Sequence, residues 1–78
     1  MQIEEKIVID LALTAYLNCI GHKFLAITQT GKKFEFRFKN SSKLEADILA
    51  FYNRQAKVDP LAFAETFRNL KAMVRMGG

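Results

Sequence analysis

A short alternating segment constrains the fold of this chain more than any other feature. Within the segment KFEFRFK at residues 33–39, Phe34, Phe36 and Phe38 alternate with charged residues. Successive side chains of a β-strand point to opposite faces, so the three rings lie on one side. The chain therefore needs a sheet with one apolar face that other elements cover, and one face in water.

A second strand precedes this one and forms a hairpin with it. The consecutive apolar residues at 24–27 predict a strand at His22–Gln29 that is covered on both faces. We predict that Lys23–Thr28 pairs with Lys33–Lys39. A tight turn at Thr30-Gly31 would join the two strands, with Gly31 taking the positive φ that such turns require.

Two registers of this hairpin are compatible with the sequence. With a two-residue loop, Ile27 faces Phe34 and Leu25 faces Phe36, which leaves Phe24 off the phenylalanine face. With a three-residue loop and a bulge, the pairing shifts by one residue and brings Phe24 and Ala26 onto that face. We prefer the first register because it places aliphatic and aromatic side chains together.

The first helix is predicted from its caps and its spacing. Asp10 precedes a run with apolar residues at helical spacing, and Gly21 stands where a left-handed C-terminal cap belongs. Ile7–Ile9 is β-branched, so it forms either a brief strand or the start of this short amphipathic helix. The apolar positions are Leu11, Leu13, Leu17 and Ile20.

Two further helices follow the hairpin. The segment from Ser42 to Glu45 has the spacing of a capping box and predicts a second helix that continues to about Gln55. Asp59 and Pro60 predict the start of a third helix, as cap and first-turn residue. The predicted fold is α+β, in the order (β)-α-β-β-α-α. The apolar residues of the third helix are Phe63, Phe67, Leu70 and Val74.

The length and the cysteine content indicate one small domain that associates with itself. Seventy-eight residues bury only about 60% of the surface of the unfolded chain. The single Cys allows no internal disulfide, and one Cys with one His cannot supply the ligands of a structural zinc. With 50% hydrophobic residues, we expect a homodimer. We expect residues 1–6 and 76–78 to be frayed.

Charge gives a weaker indication of a partner. The net charge is +4, and Arg68, Lys71 and Arg75 form one stripe on the third helix that Arg54 and Lys57 can extend. These cations can contact nucleic acid or an acidic protein. They can equally favour the helix dipole and keep the surface hydrated. No apolar run reaches the length of a membrane span, and we expect a cytoplasmic protein.

Candidate catalytic residues are few. Cys19 and His22 lie three residues apart across a helix end, but no third group lies near them in the sequence, and a buried structural thiol is the preferred interpretation. The three rings at 34–38 can be a base-stacking surface, yet three helices need an apolar sheet face, so we predict a core. We predict no catalytic, cofactor-binding or metal-binding residue.

Several short motifs resemble one known family. The chain is similar to a domain of unknown function of bacteria and phages, numbered 5659, over most of its length after Asp10. Where that family usually has Trp-Asn-Gly, this chain has Tyr52-Asn53-Arg54. The resemblance implies the helix-hairpin-helix-helix order and a bacterial or phage origin, and it implies no activity, cofactor or partner. The matching segments are Tyr16-Leu17, Gly21–Leu25, Gly31–Phe38, Phe51–Asn53, Val58–Phe63 and Leu70-Lys71.

The favoured function is therefore a non-enzymatic cytoplasmic binding module that forms a homodimer. The first alternative is a nucleic-acid-binding accessory protein that uses the basic stripe, with an affinity that falls steeply with salt. The second is an enzyme whose site is assembled across a subunit interface.

Overall fold

The predicted order of elements is confirmed, and the N-terminal segment is a strand. A computed structural model describes the backbone of residues 4–77 and the side chains of residues 4–75. Of the ends expected to fray, 1–6 and 76–78, residues 1–3 and 78 lie outside the described residues, whereas Glu5 and Lys6 belong to a strand and residues 76–77 to a helix. The fold is α+β, in the order β-α-β-β-α-α. The elements are β1 (Glu5–Val8), α1 (Leu11–Cys19), β2 (Phe24–Thr30), β3 (Lys33–Lys39), α2 (Ser42–Tyr52) and α3 (Pro60–Gly77).

The three strands form one antiparallel sheet with β3 in the centre, in the order β1-β3-β2. Val8 of β1 and Ile27 of β2 both pair with Phe36, so the apolar face continues across all three strands. Phe36 and Phe38 are 1% exposed. The predicted core face is thus confirmed, and β1 adds the third strand that an isolated hairpin would lack.

The hairpin register differs from the preferred prediction by two residues. Ile27 pairs with Phe36, and the loop is Gly31-Lys32, which leaves Thr30 as the last residue of β2. Hairpin turns of types I′ and II′ both need a positive φ at their first central residue, which the β-branched Thr30 resists and Gly31 adopts at 63°. The predicted turn at Thr30-Gly31 is therefore wrong.

A bulge in β2 has one of the effects that the second register predicted. Leu25 is the extra residue between Phe24, which pairs with Phe38, and Ala26, which pairs with Arg37. The bulge lets Phe24 join the phenylalanine face, as that register predicted, but the bulge lies within the strand and not at the turn. Ala26 pairs with Arg37 and is exposed, so its predicted position on the phenylalanine face is wrong. Leu25 is 56% exposed, so the prediction that β2 is covered on both faces is wrong. The helices cover only the phenylalanine face of the sheet.

Helix α1 forms the centre of the domain instead of an amphipathic surface layer. Its residues 13–17 are all buried, and it packs against both α2 and α3. Leu44 of α2 and Leu70 of α3 complete the core at 0% and 2% exposure. The buried Thr14 hydroxyl donates to the Asp10 carbonyl at 2.9 Å, which satisfies the polar atom within the helix.

The predicted caps of α1 and α3 are confirmed. Asp10 Oδ1 accepts from the Leu13 N–H at 3.1 Å, and Asp59 Oδ2 accepts from the Ala62 N–H at 2.9 Å. At the other end of α1, Gly21 adopts a φ of 109°. Each side chain satisfies a backbone donor that the first turn of the helix leaves without a partner.

The predicted capping box of α2 is wrong by one residue. Ser41, and not Ser42, is the cap, because its hydroxyl accepts from the Leu44 N–H at 3.0 Å. Glu45 instead accepts from the Asn40 side-chain amide at 3.2 Å. Two adjacent serines make the sequence ambiguous here. The helix also ends at Tyr52, three residues before the predicted Gln55.

Candidate functional site

Cys19 and His22 each have a different partner. Cys19 Sγ lies 3.3 Å from Thr66 Oγ1 of α3, whereas His22 Nε2 lies 2.7 Å from Asp47 Oδ2 of α2. Both contacts connect the end of α1 to a helix that packs on it. The arrangement gives the thiol a hydroxyl partner and gives the imidazole a carboxylate partner, which favours the structural interpretation of both residues.

The contact between His22 and Asp47 is the main polar cluster of the interior. The Asp47 side chain is 11% exposed, and its second oxygen accepts from Lys43 Nζ at 3.0 Å. The hydrogen bond with His22 lowers the pKa of Asp47; burial acts in the opposite direction, and the hydrogen bond and charge of Lys43 lower it further. The carboxylate is thus held ionised by two donors from different parts of the chain.

This lowered pKa has a direct consequence for stability. Because the folded-state pKa lies below the unfolded value of about 4, the carboxylate stabilises the fold above pH 4. That contribution is lost as the pH falls through the folded-state pKa. The i,i+4 spacing of Lys43 and Asp47 was visible in the sequence, but the contact with His22 spans 25 residues and depends on how α2 packs.

The predicted basic stripe exists as an exposed feature of α3. Arg68, Lys71 and Arg75 are all exposed, and none of them forms an ion pair within residues 4–75. Lys71 Nζ lies 5.5 Å from the centre of the Phe67 ring, so part of its charge is directed over an aromatic face. The stripe is accessible to a partner, and its function stays a prediction.

The other two predicted cations lie at the opposite end of α3. Arg54 and Lys57 are exposed in the connection between α2 and α3, before the helix begins at Pro60. Arg75 lies fifteen residues beyond Pro60, which is about 22 Å along the helix axis. The structure therefore does not gather the five residues into one compact cluster.

Arg54 has a structural role that its charge does not reveal. It adopts a φ of 60°, in the left-handed region, at the C-terminal end of α2. Its N–H donates to the Phe51 carbonyl at 3.1 Å, and the Gln55 N–H donates to the Ala50 carbonyl at 2.8 Å. These two bonds define a Schellman cap, in which glycine is the usual left-handed residue. Arginine at this position carries a steric cost.

An exposed apolar surface at the β1 edge of the sheet is the feature that the sequence interpretation missed. Ile7 and Ile9 at β1 are 47% and 61% exposed, and Leu49 and Tyr52 of α2 are 62% and 59% exposed. We call these four residues the β1–α2 surface. They line two neighbouring grooves of about 240 and 210 Å³ that share Lys6, Ile48 and Tyr52. The β-branched residues Ile7 and Ile9 were the available signal, but their position near α2 depends on the tertiary fold.

Two further features are absent from the part of the chain that the structure describes. Among residues 4–75, the side chains of His, Cys, Asp and Glu do not gather in threes as a metal site would need. In the part of the chain that the structure describes, no helix combines the length and the apolar content required to cross a bilayer.

Comparison with known proteins identifies the family and gives no further relative. Residues 5–76 match the family described as Domain of unknown function (DUF5659). Neither a curated protein nor a solved structure matches the chain significantly. The match extends over nearly the whole chain, from β1 to the last turn of α3, and so includes the sheet and all three helices. The chain therefore belongs to the DUF5659 family.

Proposed function

We propose that this chain is a non-enzymatic binding module of the bacterial or phage cytoplasm that works as a homodimer. The observation that carries the proposal is the β1–α2 surface. Large apolar side chains that are about half exposed and line neighbouring grooves are typical of interaction surfaces, because water around them is displaced favourably when a partner covers them.

The distribution of charge supports the same proposal. One groove of the β1–α2 surface is lined by the charged Lys6 and Glu45 together with Ile48, Leu49 and Tyr52. Apolar residues combined with charged ones are the usual composition of a protein–protein interface, in which the apolar residues form the centre. Tyrosine is also among the residues that contribute most to such interfaces.

Sedimentation equilibrium over a range of micromolar concentrations tests the proposal. We expect a species of twice the 8.9 kDa chain mass. A mass of 8.9 kDa at every concentration would refute the self-association.

Matched variants locate the surface. Leu49→Lys should weaken the dimer by about tenfold or more, because it replaces an exposed apolar side chain of the surface with a charge. Leu61→Lys is the control, since Leu61 on α3 has a similar exposure of 66% and lies outside the β1–α2 surface. Equal effects of the two changes would contradict the assignment of the surface.

A nucleic-acid-binding function is the second candidate. It is favoured by the exposure of Arg68, Lys71 and Arg75 without acidic partners within residues 4–75. Three cations on one helix face can contact successive phosphates of a nucleic-acid strand. We rank this function lower because Arg54 and Lys57 do not extend the stripe into a larger basic surface.

A further inference from the structure

The outer edge of β1 carries backbone groups that are directed away from the sheet. The Asn40 N–H donates to the Glu4 carbonyl at 2.9 Å, so Glu4 is a residue whose backbone groups bond toward β3. In an antiparallel ladder the residues alternate, so Lys6 and Val8 bond to β3 while Glu5 and Ile7 direct their N–H and C=O groups outward. Within residues 4–77, no backbone hydrogen bond occupies these outward groups.

The two edges of the sheet differ in how well they could accept another strand. β2 contains the bulge at Leu25, and its last residues, 28–30, are Thr, Gln and Thr. A bulge disfavours pairing at an edge, and Thr, Gln and Thr give a second strand no large apolar side chain to contact. β1 pairs with β3 without a bulge and presents Ile7, followed by the exposed Ile9. β1 is therefore the edge suited to accept a strand.

We propose that two copies of this chain pair antiparallel through β1, so that the two sheets form one continuous six-stranded sheet. This inference rests on the proposed self-association and assigns its interface. A two-fold axis at Ile7 pairs Ile7 with the same residue of the second copy and pairs Glu5 with Ile9 on either side. Glu5 and Ile7 direct their backbone groups outward, so these donors and acceptors of one copy meet the edge of the other, and Ile9 lies directly after the strand.

The side chains favour a second copy in this register. The two Ile7 side chains meet on the open face of the sheet, where cross-strand aliphatic contacts are favourable. A register centred on Lys6 would instead place two lysines directly opposite each other, which is unfavourable. The two-fold axis is perpendicular to the sheet, so both helical layers lie on the same side. Leu49 and Tyr52, which lie beside β1 on that side, then approach their counterparts in the second copy.

Amide hydrogen exchange measured by NMR at several protein concentrations tests this interface. The Ile7 amide should exchange about tenfold or more slowly above the dimer dissociation constant than below it, because only the dimer gives it an acceptor. The Lys6 and Val8 amides bond to β3 in either state and serve as internal controls for folding.

Two charge variants complete the test. Ile7→Lys should abolish the concentration-dependent protection and yield a monomer with protected Lys6 and Val8 amides. Leu25→Lys places the same charge at a residue of similar exposure on the other edge strand and should leave the dimer intact.

The outcomes separate this inference from the proposed function. A dimer whose Ile7 amide exchanges at the same rate at every concentration would overturn the β1 interface and leave self-association standing. A monomer at every concentration would overturn both, and would leave the β1 edge to a strand from a different protein.

Discussion

Replacing Phe36 with alanine should cost about 3–5 kcal/mol of the free energy of unfolding, because the ring is buried on the central strand. Phe36 is 1% exposed, lies between Val8 and Ile27 in the sheet, and has the Phe24 ring centre 5.4 Å away. A domain of this length is stable by roughly 4–12 kcal/mol, so the variant should be close to unfolding at room temperature. Phe36→Leu, with an expected cost of about 1–2 kcal/mol, keeps the effect measurable.

Urea unfolding followed by far-ultraviolet circular dichroism measures these differences. All variants are compared at one protein concentration, since self-association would add to the apparent stability. Phe34→Ala is the matched control, because Phe34 lies on the same face of the same strand but is only half-buried, and its loss should cost about 1–2 kcal/mol. A cost for Phe36→Ala below about 1 kcal/mol would refute the buried sheet face and restore the base-stacking interpretation.

Three further predictions concern polar residues. Asp47→Asn should lower the free energy of unfolding by about 1–3 kcal/mol at pH 7, because hydrogen bonds to a buried carboxylate are lost. In urea unfolding, this difference from the unmodified protein should disappear as the pH falls below 4. Arg54→Gly should raise the free energy of unfolding by up to about 1 kcal/mol, because glycine tolerates a positive φ. A lower free energy of unfolding would show that arginine is not strained at this cap. We expect the protein to bind duplex DNA and single-stranded RNA no more tightly than other weakly cationic proteins do, and a specific complex in low-salt titrations would overturn this ranking. If such a complex forms, changing Arg68, Lys71 and Arg75 together to Gln should reduce the slope of log affinity against log salt by about 2–3.

Local chemistry was sufficient to predict several features. The caps at Asp10 and Asp59 and the left-handed Gly21 were predicted correctly, because each depends on a few neighbouring residues. Even a local pattern failed where two residues competed for one role. Ser41 became the cap in place of Ser42, and the turn moved by one residue because Gly31 had to occupy its first central position.

The candidate site was predictable only in part. The exposure of Arg68, Lys71 and Arg75 followed from helical spacing, because the apolar residues of α3 fix which side of the helix is buried. The β1–α2 surface did not follow, since Ile7 and Tyr52 are 45 positions apart in the sequence and become neighbours only when α2 packs beside the sheet.

The sequence by itself determined the order of the elements from α1 to α3 and the apolar face of β3, because alternation and helical periodicity are properties of contiguous residues. Only the tertiary structure decided that β1 pairs with β3, that α1 lies at the centre, and that Asp47 bonds to His22. These features join segments distant in the chain. Their free energies depend on how all the elements pack together, and no local pattern contains that information.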